Sequence, residues 1–572
     1  MSIDSVSTVG ADGAPIAFRP TILGTRHVVS AGHYLAAQAA FQVLEGGGNA
    51  IDAGVAGGLV LGVVQSEFVN IAGVAPIMIR LAATGEVMTI SGLGVWPAAA
   101  RLEDFVTRHG GTIPNGILRT VVPAAPDAWI TALARWGTMS FADAAGAAIR
   151  LASDGFVMYP LMAELIGVFA ADYAVWPQNA AIYLPRGSPP RAGDVFVQAD
   201  LGRTLRFMAD QDRAAQSKGR AAGLTAARDA FYRGDIAGAI CNFHRREGGL
   251  LTREDMAAYR APIELPLVQR FADLDVYTCG PWCQGPVLAQ MLAILDGFPL
   301  RDMARDDTGY AHLLIEAMKL AFLDRERHYA DPAFHDVPMA RLLGSDHVGA
   351  QRARIQADRA IPYAELYGEA SPAGAKVAAL DTSYISAVDR HGNVFSATPS
   401  DVSYDTPVIP GTGLCPSSRG SQSWAIPGHP CAIAPGTRPR LTPNPAIAVG
   451  TDTIMGFGTP GGDVQCQAML QVLLNWRVHG MDLQRAIEAA RVATYSFPDS
   501  FEPHMPLPDK AMVEGRSDGR VMDGLAARGH DVGVWPDFTW RAGGVCATVL
   551  DRTNGVRSAA ADPRRPCYAQ GW

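Results

Sequence analysis

Charge is scarce in this chain. Asp, Glu, Lys and Arg make up 18% of its 572 residues, against roughly 25% in ordinary globular proteins, so more of it must be buried. The small excess is acidic, a formal net charge of −8 with an isoelectric point near 5.9. That leaves no electrostatic footprint for nucleic acid or an anionic membrane. Long apolar runs are lacking too. The most apolar early stretch, Ala53 to Val64, is too short and too rich in glycine to span a bilayer and reads as a buried helix. The start, Met1-Ser2-Ile3-Asp4-Ser5-Val6-Ser7, has no basic cluster followed by an apolar run, so no signal peptide is expected and the cytoplasm is the expected compartment. Eight cysteines are present (Cys241, Cys279, Cys283, Cys415, Cys431, Cys466, Cys546 and Cys567) with no CxxC, and no histidines stand at zinc-site spacing. Buried free thiols, no metal and no organic cofactor are the expectation. Internal repeats and low-complexity tracts are absent as well.

Periodicity supplies a coarse organisation. His33 to Glu45 reads as an amphipathic helix stopped by Gly46-Gly47-Gly48, and Ile51 to Val64 as a second, more buried one. Ile77 to Leu81 and Val87 to Ile90 flank Thr84-Gly85-Glu86 as a hairpin. From about Pro123 to Arg359 helical runs dominate, such as Tyr310 to Arg327. A Pro/Gly/Ala-rich linker follows within about 358–381. After Thr382 the pattern turns to strands and turns, interrupted by helices at Val464 to His479 and Leu483 to Ala490. Periodicity by itself predicts only a mixed α and β protein.

Two segments carry candidate chemistry. Asp381-Thr382-Ser383-Tyr384-Ile385-Ser386-Ala387-Val388-Asp389 opens a strand directly after the linker, and Arg390-His391-Gly392-Asn393 turns it into a second strand, Val394 to Ser400. Cleavage between Asp381 and Thr382 would free an α-amine beside the threonine hydroxyl, where it can act as general base. Threonine also favours strands for purely structural reasons, so this segment needs company. The second segment, Gly458-Thr459-Pro460-Gly461-Gly462-Asp463, runs into an apolar helix with Asp463 placed to cap its first turn. Two glycines before a helix leave N–H groups able to point at an oxyanion, though such a pair is often only a tight turn.

Together with Leu44-Glu45-Gly46-Gly47-Gly48-Asn49-Ala50-Ile51-Asp52-Ala53, Phe231-Tyr232-Arg233-Gly234, Gly249-Leu250-Leu251-Thr252-Arg253-Glu254-Asp255, Thr437-Arg438-Pro439 and Ala561-Asp562-Pro563-Arg564-Arg565, these segments fit one ordered pattern. The chain resembles the gamma-glutamyltransferase family of N-terminal-nucleophile hydrolases over most of its length. The resemblance implies a four-layer αββα sandwich built jointly by a large subunit, 1–381, and a small subunit, 382–572, and allows a dimer of such heterodimers. It implies Thr382 as autoprocessing site and nucleophile, Gly461 and Gly462 as oxyanion hole, and Ser400 as a hydroxyl supporting the nucleophile.

Departures from the family pattern bear on substrate. Leu93, in Ser91-Gly92-Leu93-Gly94-Val95-Trp96-Pro97, stands where the family has an arginine for the α-carboxylate of a γ-glutamyl group. Gln422 falls near its acid for the α-amino group, and Leu441 and Thr442 replace a pair of serines. An amino-acid head group needs both charge partners, because burying either charge alone costs several kcal/mol. Arg440, Arg419, Ser417, Ser418, Thr442 and the bulky Trp96 remain, a set suited to a small acid amide with one carboxylate and no ammonium. Within the family, oxamate amidohydrolase is the branch with such a substrate. Arg419 and Arg440 could equally be structural ion pairs. A γ-glutamyl hydrolase or transferase with a rebuilt site, and a non-catalytic relative, are the competing classes; intact Thr382 and Gly461-Gly462 speak against the latter.

Overall fold

The hairpin after Thr382 lies at the centre of the molecule. A computed structural model describes residues 17–369 and 382–572; Asp381 and the rest of 370–381 lie outside the described residues. Strands Ile385–Val388 and Val394–Ala397 pair antiparallel, Ile385 opposite Ala397, with Gly392 in the turn at φ +85°. Asp389 fixes that turn. Its Oδ1 accepts the N–H of His391 (2.8 Å) and Asn393 (3.0 Å), and its Oδ2 accepts the N–H of Ala50 (3.0 Å), tying the turn to the start of a helix far back in the chain.

Seven antiparallel strands form the hairpin's sheet, in the order Tyr568–Gly571, Val28–Ala31, Ile385–Val388, Val394–Ala397, Ile77–Arg80, Val87–Ile90 and Ile263–Glu264. A second antiparallel sheet of seven runs Ile22–Gly24, Arg557–Ala561, Cys546–Asp551, Thr453–Gly458, Ala446–Val449, Leu274–Thr278 and Leu267–Phe271. Each sheet mixes strands from before and after position 381. Because side chains alternate along a strand, Ile385, Ala387, Phe395 and Ala397 face helices, while Tyr384, Val388 and Val394 face the other sheet. Helices Tyr34–Glu45, Ala50–Val64 and Ala125–Trp136 cover the first sheet, and Gly285–Leu295, Thr308–His328 and Gln465–Arg477 cover the second. A third core of Val28, Met78, Tyr384, Val388, Ile447 and Ile454 fills the space between the sheets. The architecture is the αββα sandwich that the resemblance implied.

The glycines of Ala50–Val64 follow from this packing. A Cβ on Gly54 would lie 2.0 Å from the Phe395 ring, and one on Gly57 would lie 2.2 Å from Ile385 Cδ1. The helix is therefore seated closely on the hairpin. Its start is secured by a capping box between Asn49 and Asp52.

Some expectations need correction. The middle region, expected to be helical, also carries the strands Ile263–Glu264, Leu267–Phe271 and Leu274–Thr278, which lie at or near the edges of the two sheets. Leu267–Phe271 is half exposed and bears Gln269 and Arg270, which blunts its apolar signal. The last third contains an unexpected helix, Gly519–Ala527, and a small sheet of Val492–Thr494, Lys510–Glu514 and Asp531–Trp535. No helix among the described residues is long and apolar enough to cross a membrane.

Several histidines are buried in the neutral form. Burial lowers His33 and His244 to about 3 and His504 to about 4, from an ordinary value of about 6.5. The unfolded chain therefore binds more protons than the folded one between these values. Stability should be fully present above pH ~6.5 and fall as pH drops towards 4. Urea unfolding midpoints across that range check this, and a flat profile would contradict it.

Candidate active site

Thr382 lies at the mouth of the central hairpin, just before its regular strand. It forms an antiparallel bridge with Ser400, and the Ser383 N–H donates to the Pro399 carbonyl (3.0 Å). This register brings Thr382 Oγ1 within 2.7 Å of Ser400 Oγ. The Arg419 guanidinium donates through Nη2 to the same Ser400 Oγ. Gln465 Nε2 reaches Thr382 Oγ1 at 3.5 Å, and Ser383 Oγ donates to Gln65 Oε1 (2.6 Å). Thr382, Ser400 and Arg419 are all buried.

Asp401 organises the cation. Its backbone sits at φ +120°, a conformation that costs a non-glycine residue about 1–3 kcal/mol. The surroundings hold it there. Its carboxylate accepts Ser417 Oγ (2.6 Å), the Ser418 N–H (3.0 Å) and Ser418 Oγ (2.9 Å), and stands 3.4 Å from Arg419 Nε. Burial pushes the Asp401 carboxyl up, against the pull of Arg419 and the two serines. Arg419 also faces the Phe501 ring, 5.4 Å from its centroid.

The Gly461-Gly462 loop connects strand Thr453–Gly458 to helix Gln465–Arg477 through a single 3₁₀ turn, Gly462–Val464. Both glycines have positive φ, +129° and +55°, which L side chains rarely adopt. Neither N–H hydrogen-bonds to another described residue. Gln465, the first residue of the helix, is the one that reaches Thr382. The expected capping role of Asp463 is not observed. The helix begins after Val464 without a side-chain cap, and Asp463 instead pairs with Arg325 (2.8 Å) and Ser500.

The other singled-out residues divide. Gln422 Nε2 donates to Thr442 Oγ1 (3.2 Å), and Trp96 Nε1 donates to Ser423 Oγ (2.8 Å). Leu93 is packed in the core between the sheets. Leu93 and Trp96 also line a cleft of about 690 Å³ with Tyr259, Phe334 and Arg438, and Thr382 is not among its walls. Arg440 is committed elsewhere, donating to the Arg325 carbonyl (2.9 Å) and to Glu326 Oε2 (2.7 Å). Burial alone would raise the Glu326 carboxyl, but Arg440, His429 and Arg325 hold it well below the usual carboxylate range. Cys283 is buried with its Sγ accepting the Gly285 N–H (3.2 Å).

Asp401, Gln465 and Arg325 escaped sequence reading. The first two adjoin recognised motifs and were within reach; Arg325 lies in a long helix with nothing to mark it. Among the described residues His312, Glu316 and His530 come close enough to share an ion. Their atoms are already engaged, His312 Nδ1 with His530 Nε2 (2.9 Å) and Glu316 with the Lys319 ammonium (2.8 Å). A divalent cation beside buried Lys319 would leave positive charge unbalanced.

An αββα sandwich with a threonine opening a central strand is the arrangement of the N-terminal-nucleophile hydrolases. The chain belongs to the gamma-glutamyltranspeptidase family, whose model matches residues 36–572. It is 32% identical over 552 residues to the acylase ACY 1 proenzyme of Pseudomonas sp. (strain SE83), covering 94% of this chain and 92% of the relative. It is 30% identical to the glutathione hydrolase-like YwrD proenzyme of Bacillus subtilis (strain 168), with coverage of 96% and 99%. To the oxamate amidohydrolase proenzyme of Klebsiella pneumoniae it is 29% identical, with the same coverage. The crystal structure of cephalosporin acylase from Bacillus halodurans superposes with a TM-score of 0.85 at 26% identity, covering 97% of both chains. The protein is a hydrolase of this family.

The pairing of Arg440 predicts a stability phenotype. Arg440→Met would leave Glu326 buried beside a weakened set of cations and should lower unfolding free energy by about 3 kcal/mol. Arg440→Met combined with Glu326→Gln should recover most of that loss in urea titrations. Equal loss in the single and double variants would show that Glu326 is not the partner that matters.

Proposed function

We propose that this chain is an autoprocessing amidohydrolase with Thr382 as nucleophile, acting on a small amide that carries one carboxylate, such as oxamate. The observation that carries the reading is the Thr382–Ser400–Arg419 array: a hydroxyl 2.7 Å from the threonine oxygen, itself hydrogen-bonded by a guanidinium. Cleavage between Asp381 and Thr382 would divide the chain into subunits 1–381 and 382–572 and free the α-amine. That amine takes the hydroxyl proton as Thr382 Oγ1 attacks the amide carbonyl, and the Gly461 and Gly462 N–H groups receive the oxyanion. The resulting α-ammonium returns that proton to the leaving nitrogen as ammonia departs, and the regenerated amine then deprotonates the water that hydrolyses the ester.

The charge inventory supports a small acid. Arg440 is matched by Glu326, which leaves Arg419 as the better candidate for a carboxylate clamp. Arg419 is only one hydroxyl removed from Thr382. A cation so near the nucleophile suits a carboxylate attached directly to the scissile carbonyl, as in oxamate. The α-carboxylate of a γ-glutamyl group lies three carbons further away. Gln422 and Thr442 are paired with each other, and Leu93 and Trp96 line a cleft whose walls do not include Thr382, so none of the four is a charge partner for an amino-acid head group. The named relatives differ in activity, so kinship alone does not choose a substrate.

Four measurements test the reading. Denaturing mass analysis should show fragments divided between Asp381 and Thr382, with Thr382→Ala a single chain; an enzyme active while wholly uncut would remove the α-amine from the mechanism. Ammonia release from oxamate should exceed hydrolysis of a γ-glutamyl anilide, and Arg419→Lys should raise KM sharply if the clamp is bidentate. Efficient γ-glutamyl hydrolysis without activity on small acid amides would restore the glutathione-hydrolase alternative. Gly462→Val should cost turnover on the scale of one oxyanion donor, roughly 3 kcal/mol, much more than it costs folding.

A further inference from the structure

The side chain that anchors the diglycine loop follows it immediately, and the group it is anchored to comes from the other part of the chain. Asp463 Oδ2 accepts the Ser500 N–H (2.9 Å), while Oδ1 accepts Arg325 Nη1 (2.8 Å) and Ser500 Oγ (2.6 Å), and Gln284 Nε2 also donates to Oδ1. Arg325, near the end of helix Thr308–His328, has a side chain with 0% exposure. Its Nη1 donates to Ser500 Oγ as well (2.8 Å), and its Nη2 to the Pro498 carbonyl (2.6 Å). The guanidinium lies 4.7 Å from the Phe322 ring centroid and 5.1 Å from that of Phe497. One planar group with a fixed fork of donors therefore ties the 3₁₀ turn Gly462–Val464 to the loop around 498–500.

The glycines themselves are held through the backbone of the turn: the Gly461 carbonyl accepts the Val464 N–H (2.9 Å) and the Gly462 carbonyl accepts the Gln465 N–H. Their own N–H groups make no bond to another described residue. Asp463 is the charged side chain of that turn, so where its carboxylate is held helps to set the direction of the Gly462 peptide.

We infer that Arg325, acting through Asp463, is a positioning residue that aims the Gly461 and Gly462 N–H groups at the reacting carbonyl oxygen. The inference rests on the reading of that loop as the oxyanion hole. Arg325 touches neither Thr382 nor Ser400 and takes no proton; it sets the geometry in which the donors act. Such a role has a kinetic signature. Negative charge on the carbonyl oxygen develops only towards the transition state, so a misaimed donor lowers kcat and leaves KM nearly unchanged. An ion pair that served stability alone would lower the folded fraction and spare kcat per folded molecule.

The test uses the processed enzyme and oxamate. Asp463→Asn keeps the shape and removes the charge; Arg325→Met removes the fork; Arg325→Lys keeps the charge without the fork. Both Asp463→Asn and Arg325→Met should lower kcat by roughly 10–100-fold, the scale of a misplaced catalytic group, with KM within about threefold of wild type. Arg325→Lys should recover part of the loss. The double variant should be no worse than the weaker single variant, because the two act as a unit. Hydrogen exchange of the segment spanning Gly461 and Gly462 gives a readout independent of activity: faster exchange in Asp463→Asn and Arg325→Met than in the processed wild-type enzyme. Folded Asp463→Asn enzyme with kcat within twofold of wild type would overturn the inference. If wild-type enzyme hydrolysed no amide, the functional reading would fall, and unchanged exchange at the loop would overturn the positioning claim on its own.

Discussion

The register of one hairpin governs the rest of the site. Ile385–Val388 and Val394–Ala397 are buried on both faces, apolar towards the helices and partly hydroxylated towards the second sheet. There Tyr384 meets Ser396 (2.6 Å between oxygens), Ser386 meets Thr548 across the sheets (2.6 Å), and Ser30 donates to the Ala560 carbonyl (2.7 Å). A slip of one residue would turn these hydroxyls into the helix-facing core and the apolar side chains towards polar partners. Each buried hydroxyl left without a partner costs about 1–3 kcal/mol, so several lost together exceed what a domain can spare. Thr382 and Ser400 face one another because the strands beyond them have only one acceptable pairing.

Most residues that carry the family resemblance serve this scaffold. Asn49 and Asp52 cap a helix whose first N–H is bound by Asp389, and Thr252 and Asp255 form a second capping box. Arg253 donates to the Arg233 carbonyl, joining two motifs that lie apart in sequence. Arg438 pairs with Asp331 and Glu264, and Asp562 with Arg491 and Arg564. These bonds are indifferent to what the enzyme hydrolyses.

Much of this was legible in sequence, unevenly. Helices with strong apolar periodicity and glycine stops were placed within a residue or two: Tyr34–Glu45, Ala50–Val64 and Thr308–His328. The hairpins at Ile77–Ile90 and Ile385–Ala397 were legible because turn residues separate short apolar runs. Edge strands such as Leu267–Phe271 were not, since an exposed edge carries polar residues and loses alternation. The small sheet containing Lys510–Glu514 was missed because its strands are short and widely separated. Within the site, the local neighbours of a motif were within reach, whereas Asp463 misled: an acid just before a helix reads as a cap until a distant Arg325 claims it.

That distinction bears most on charge. A sequence counts cations but not their partners, and Arg419 and Arg440, 21 positions apart, look equivalent in it. Folding separates them. Arg440, buried, meets the largely buried Glu326 from a helix more than a hundred residues earlier, so its charge is matched before any ligand arrives. Arg419 stands at a longer 3.4 Å from Asp401, a carboxylate already engaged by Ser417 and Ser418, and turns towards the oxygen beside Thr382. Two guanidiniums that look alike in sequence therefore do different work in the fold: Arg440 holds a carboxylate on a distant helix, and Arg419 links Asp401 to the hydroxyl beside Thr382.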